Sequence, residues 1–170
     1  MILKVSRLGH PVLRQKAAEV DRADIRAGRF NQLVEDMVET MYAYEGVGLA
    51  GPQVHLALRI FVFAVDEHVA KRRGIPELKR GAVFNATYEP IGDSRITEWE
   101  GCLSVPFLGG QVPRYKKIAV RGVDGTGKDI ELEVSGFPAR IFQHEIDHTD
   151  GHVYLDRMPD LTTLGYTIVL

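Results

Sequence analysis

Gln143-His144-Glu145-Ile146-Asp147-His148 is the stretch on which the reading of this chain turns. On an α-helix, residues four apart stand nearly above one another, so His144 and His148 aim two imidazole nitrogens at one point. Glu145 sits beside them, close enough to take a proton from a water that a metal activates without being a ligand itself. The flanking residues predict a helix of the right kind. Ser135-Gly136-Phe137-Pro138 reads as a helix start, with proline tolerated in the first turn. Ala139, Ile141, Phe142 and Ile146 give the helix an apolar body, and Gly151 is its stop. The helix is expected over about 137–150, buried by that body. A buried helix bearing two His and a Glu needs partners for them, and a metal ion is the most economical one. The competing reading is an exposed polar helix face, which the apolar residues argue against.

A third ligand is needed. The chain has one cysteine, Cys102, in Glu98-Trp99-Glu100-Gly101-Cys102-Leu103-Ser104. Taken by residue type alone, a lone Cys is more often a small buried hydrophobe. Gly before it and Ser after it suggest a turn or strand end, and a His-Glu-x-x-His in the same chain favours the ligand reading. The inferred set is Cys102, His144 and His148. Three protein ligands with an open fourth position is a catalytic arrangement, whereas structural zinc sites close all four.

These residues resemble those of the peptide deformylase family, which carries G-x-G-L-A-x-x-Q, E-G-C-x-S and Q-H-E-x-D-H in that order. Here they stand as Gly46-Val47-Gly48-Leu49-Ala50-Gly51-Pro52-Gln53, Glu100-Gly101-Cys102-Leu103-Ser104 and Gln143–His148. Gly9-His10-Pro11-Val12-Leu13-Arg14 is a further echo near the N-terminus. One departure is Gly51, where the family usually has a second Ala. The missing methyl is expected to loosen the chain beside the metal.

The resemblance implies an α+β fold of antiparallel β-sheets packed around a central metal-binding helix. It implies hydrolysis of the formyl group from the N-terminal formyl-methionine of nascent polypeptides, with release of formate. Glu145 is the proton carrier, and the oxyanion donors implied are the Gln53 amide and the Leu103 backbone N–H. The methionine pocket is implied near Phe137 and Ile141, with the peptide running strand-like along Gly46, Val47 and Gly48 and along the chain at Gly101 and beyond Cys102. A supporting Glu100–Arg114 ion pair belongs to the same pattern. Asp147 and Asp150 are read as orienting a ligand imidazole or bonding to nearby backbone. His10, His55, His68 and His152 are assigned surface or core roles. One Cys and two His suit zinc by ligand type, while nickel or cobalt would also fit. The resemblance implies Fe2+, one per chain, as the physiological metal. Two rivals stay open at this point: a zinc endopeptidase and an inactive metal-binding homologue.

Composition agrees with a single catalytic domain over 1–170. Apolar residues make up 45% and charged residues 26%, ordinary for a globular chain, and a net charge of −2 argues against a general DNA or anionic-membrane binder. One Cys fits a reducing compartment. No signal peptide or transit stretch is legible, so a cytoplasmic, bacterial-type location is expected, or an organellar one if a presequence was removed.

Along the chain, residues 1–26 read as an irregular arm with a short turn at Pro11–Arg14. An amphipathic helix is expected over about 29–45, with Phe30, Leu33, Val34, Met37, Val38, Met41 and Tyr42 on its apolar face and Gly46 as its stop. Gly48–Gln53 should run extended, and Leu58–Val65 should be a buried strand. The segment 67–80 reads as a polar loop. Its Lys71-Arg72-Arg73 run is solvated, with contact near ribosomal RNA at the exit region as the alternative. Further strands are expected at about 81–88, 93–99, 112–122 and 129–134, the last two joined by a hairpin turn at Asp124-Gly125-Thr126-Gly127. Gly109-Gly110 marks either a close approach by a peptide or strand, or a plain bulge. A short tail follows the catalytic helix and ends in Tyr166-Thr167-Ile168-Val169-Leu170.

Overall fold

The Ile60-Phe61-Val62-Phe63-Ala64-Val65 run is apolar at every position because both of its faces are covered. In the computed structural model, which describes residues 1–167, this strand lies second in a five-stranded antiparallel sheet. Ile168, Val169 and Leu170 of the expected tail lie outside the described residues. The strands are β1 (Gly48–Ala50), β2 (Ile60–Val65), β3 (Leu78–Pro90), β4 (Arg95–Cys102), β5 (Val105–Tyr115), β6 (Lys117–Asp124), β7 (Asp129–Ser135) and β8 (Gly165–Tyr166). The helices are α1 (Arg22–Arg26), α2 (Asn31–Ala43), α3 (Glu67–Arg73) and α4 (Gly136–Thr149). The larger sheet runs β1-β2-β3-β6-β7 and the smaller β4-β5-β8.

Successive strand residues point to opposite faces. Ile60, Val62 and Ala64 pack with Met37, Val38 and Met41 of α2. Phe61 and Val65 pack with Ala139, Ile141, Phe142 and Ile146 of α4. The Phe61 and Phe142 rings meet edge to face at 5.2 Å. Fully burying one such side chain contributes about 1.5–3 kcal/mol, so these two layers fix where α4 lies. The opposite side of α4 faces the smaller sheet. There Arg140 reaches the Ile96 and Val112 carbonyls at 2.6 and 2.9 Å. The helix therefore lies between the two sheets, as the α+β expectation had it. It begins after Ser135 and ends before Gly151, whose φ of 84° is open to glycine.

Several segments differ from expectation. The N-terminal arm contains α1, capped by the Asp21 side chain on the Ala23 N–H. The extended run after Gly48 stops at Ala50, and Gly51–Val54 form a 3-10 turn that ends with His55 at a φ of 64°. The segment expected as a polar loop begins with α3, capped by Asp66 and closed by Gly74. Lys71 and Arg72 are exposed, as a solvated run should be. The single strand expected at 112–122 is two strands that part at Lys116, whose N–H donates to the Ser94 carbonyl. β5 begins much earlier, at Val105, and carries Pro113 where β8 does not reach, since β8 pairs only with Leu108 and Gly109. The hairpin at Asp124–Gly127 is as expected, with Asp124 accepting from the Thr126 and Lys128 N–H groups. Among the described residues, no helix is long and apolar enough to cross a membrane.

Candidate active site: a Cys-His-His centre beside a buried carboxylate

Cys102 ends β4 and pairs with Val105 across a tight turn made by Leu103 and Ser104. His144 and His148 stand one turn apart on α4. These separate elements bring three donor atoms to one place: the Cys102 Sγ, the His144 nitrogen and the His148 nitrogen lie within 4.8 Å of one another. His148 Nε2 is 3.2 Å from Cys102 Sγ and 3.2 Å from His144 Nε2.

The donor set fits a divalent cation on its own geometry. His144 Nδ1 lies 2.9 Å from Glu100 Oε2, which commits that nitrogen to the carboxylate and leaves Nε2 for the shared point. Burial holds His148 neutral, well below the usual imidazole range. Burial also lowers His144, but hydrogen bonds to Cys102 and Glu100 outweigh it and hold it well above that range. Ligand atoms must give up protons to hold a cation, so a divalent metal suits this thiol and pair of imidazoles.

Glu145 faces the same point from the next position on the helix. Its Oε2 is buried and has no hydrogen-bond partner among the described residues. Burial pushes its carboxyl up to about 7. Its place depends on Gly48, because a Cβ there would stand 2.3 Å from Glu145 Oε1. The G-x-G pattern in this chain therefore leaves room for the carboxylate.

Behind the centre lies a buried ionic network. Arg114 grips Glu100 with two hydrogen bonds, Nε–Oε1 at 2.8 Å and Nη2–Oε2 at 3.0 Å, and reaches Asp147 Oδ2 at 2.5 Å. Arg140 adds a bond to Glu100 Oε1 at 2.7 Å. Burial would raise the Glu100 carboxyl, but the bonds from His144 and Arg114 dominate and hold it far below the usual carboxylate range. Glu100 thus stays ionised and fixes the ring of His144.

A cavity of about 570 Å³ opens onto this group. Gly46, Val47 and Gly48 form one wall, Gly101 and Leu103 another, and Phe137 and Ile141 line it from α4. Gln53 also lines it. Its Oε1 accepts from the Ala50 N–H at 2.9 Å, while Nε2 faces Cys102 Sγ and Ser104 Oγ at 3.4 and 3.3 Å. Arg114 and His148 stand behind the wall.

Asp147 does not orient an imidazole: both its oxygens are taken by Arg114 and Arg157. Asp150 instead pairs with the buried Arg59. Gly110 admits the Met158 side chain, which a Cβ would meet at 2.4 Å, rather than a peptide. Arg140 was missed, and Ser104, quoted within the E-G-C-x-S motif, was given no role. The signal for Arg140 was available, since it lies four residues before His144 on the same helix face.

A thiol, two imidazoles and a buried carboxylate at the end of an open cavity define a metal-dependent hydrolase of the His-Glu-x-x-His type. The polypeptide deformylase family model matches residues 2–163, and the chain belongs to the peptide deformylase family. Peptide deformylase 1 of Bordetella pertussis is 42% identical over 170 residues, covering 100% of this chain and 95% of that protein. Peptide deformylase 1 of Nitrosomonas europaea is 38% identical, with 100% and 95% covered. A Met-Ala-Ser-bound class I type b peptide deformylase from Acinetobacter baumannii superposes with a TM-score of 0.86 at 31% identity, covering 93% of this chain and 99% of that one. Peptide deformylase from Thermotoga maritima gives a TM-score of 0.82 at 35% identity, with 94% and 99% covered. These likenesses run the length of the chain and favour neither an endopeptidase nor an inactive homologue.

Proposed function

We propose that this chain is one catalytic domain that removes the formyl group from the N-terminal formyl-methionine of nascent peptides, using iron(II) held by Cys102, His144 and His148. The observation that carries the reading is the meeting of three donor atoms within 4.8 Å beside a buried carboxylate oxygen that has no hydrogen-bond partner among the described residues. A bound divalent cation lowers the pKa of water and polarises a carbonyl. Glu145 accepts the proton of the attacking water as its oxygen bonds to the formyl carbon. The oxyanion receives hydrogen bonds from the Gln53 amide and the Leu103 N–H. Glu145 then gives the proton to the leaving nitrogen as the C–N bond breaks, and the products are formate and a free α-amine.

A formyl carbon bears only hydrogen, so a close-walled site admits it and rejects larger acyl groups. Phe137 and Ile141 suit the unbranched methionine side chain. β1 lies at the edge of its sheet, and the Gly46–Val47 segment leading into it at Gly48 suits a peptide in extended form. The bound Met-Ala-Ser of the Acinetobacter baumannii relative is a peptide of the kind this reaction would release. The reading places the enzyme in a bacterial-type cytoplasm or an organelle, with nascent peptides as its partners. Exposed Lys71 and Arg72 on α3 suit contact with the ribosomal exit region.

The metal assignment is tested by oxygen. Thiolate-bound iron(II) exposes both the iron and Cys102 to oxidation. Activity prepared anaerobically with iron(II) should decay in air, while nickel-loaded protein keeps its activity. Equal persistence of both forms in air would overturn the iron(II) assignment.

A further inference from the structure

β4 and β5 stay in register from Arg95 opposite Tyr115 to Gly101 opposite Gly109, and the ladder then resumes at Cys102 opposite Val105. Neighbouring residues on β4 thus face residues four apart on β5. Pro106, Phe107 and Leu108 have no partner on β4 and form a bulge beside the metal ligand. Its base is held from the other side, where Leu108 and Gly109 pair with Tyr166 and Gly165 of β8. Bulges of this kind re-aim a side chain next to an active site.

Phe107 is the residue so aimed. It has a φ of 66° and is 71% exposed. A left-handed φ costs a bulky residue about 1 kcal/mol or more. Among the described residues, Phe107 belongs to none of the three apolar clusters. Its ring lines the same cavity as Glu145 and Cys102, and so does Trp99 of β4, 43% exposed.

We infer that Phe107, together with Trp99, is a specificity-determining grip for an apolar side chain on the formylated peptide, downstream of its methionine. The inference rests on the deformylase reading. The occupant is the substrate because both rings are continuous with the reaction cavity. A peptide whose first side chain lies at Phe137 and Ile141 leaves between β1 and the Gly101–Leu103 chain, past this rim. Rigid aromatic rings supply a large contact area at small cost in rotamer freedom.

The test compares formyl-Met-Ala, formyl-Met-Ala-Ser, formyl-Met-Ala-Phe and formyl-Met-Phe-Ser on the iron(II) enzyme and on Phe107→Gly and Phe107→Leu. One aromatic contact is worth about a fivefold preference, so the native enzyme should favour one phenylalanine peptide over formyl-Met-Ala-Ser by that factor, through KM. Phe107→Gly should erase the preference by raising that KM, with kcat, turnover of formyl-Met-Ala and Tm retained, since glycine adopts this φ freely. Phe107→Leu should keep part of the preference. Equal losses on all four peptides, or a native enzyme that turns them over without preference, would overturn the grip alone. No turnover of any formyl-Met peptide by the native enzyme would overturn the deformylase reading as well.

Discussion

Glu145 and Gly48 show how one atom decides a site. The carboxylate stands where it does because Gly48 offers no Cβ, which would lie 2.3 Å from Glu145 Oε1. Gly48→Ala must push the carboxylate aside. A displacement of that order costs about 10- to 100-fold in kcat, and steady-state kinetics on the metal-loaded variant would show it, with metal content unchanged. The burial of Glu145 has a second consequence. Its folded-state pKa of about 7 lies above the ordinary carboxyl value of 4.5. Its contribution to stability is therefore full below 4.5 and is lost as pH rises through about 7. In chelated, metal-free protein, Glu145→Gln should leave stability near pH 4 little changed and raise it by about 3 kcal/mol at pH 8, from the shift of the two values at 1.36 kcal/mol per unit. Urea unfolding at the two pH values measures this, and an equal effect at both would contradict it. His144, Glu145 and His148 were legible in the sequence because helical spacing alone sets their geometry. The role of Gly48 was not, because it is set by contact between residues far apart in the chain.

At the scale of elements, α4 reads plainly from its sequence because its apolar residues and its ligands fall on different sides. The 3-10 turn at Gly51–Val54 did not read as a turn, since Gly48-Leu49-Ala50 before it is extended and Pro52 suits either form. That turn changes the meaning of Gly51. A Cβ there would lie 2.6 Å from the Leu58 carbonyl oxygen and 3.0 Å from that of Leu56. Gly51 is thus required by close backbone packing in this chain, and its missing methyl leaves no loose strand. Gly51→Ala, which restores the family's usual residue, should lower stability by about 1–3 kcal/mol, as overpacking does. A thermal melt with unchanged or raised Tm would refute this. The Glu100–Arg114 pair was expected, but the enlistment of Arg140, Asp147 and Arg157 was not. Buried charges recruit partners in three dimensions, and linear spacing carries that information only within one helix.

For the molecule as a whole, two sheets and one helix do a single job. The five-stranded sheet fixes the apolar side of α4, and the three-stranded sheet brings Cys102 to its polar side. The packing of sheets around a central helix was implied by the family resemblance, while the α+β order of strands and helices was legible from apolar runs and their spacing. The division of the strands between two sheets was not, because a break as short as Lys116 leaves little trace in hydropathy. The whole arrangement acts to present Glu145 beside the Cys-His-His centre. The most direct measurement of that claim is formate release from formyl-Met-Ala-Ser by anaerobically prepared iron(II) protein, with Glu145→Gln alongside at equal metal content. The account predicts rapid release by the native protein and a loss of about 10²–10⁴-fold in kcat for the variant, the usual contribution of a positioned proton carrier. No release by folded native protein holding one metal per chain, or equal release by the two proteins, would contradict it.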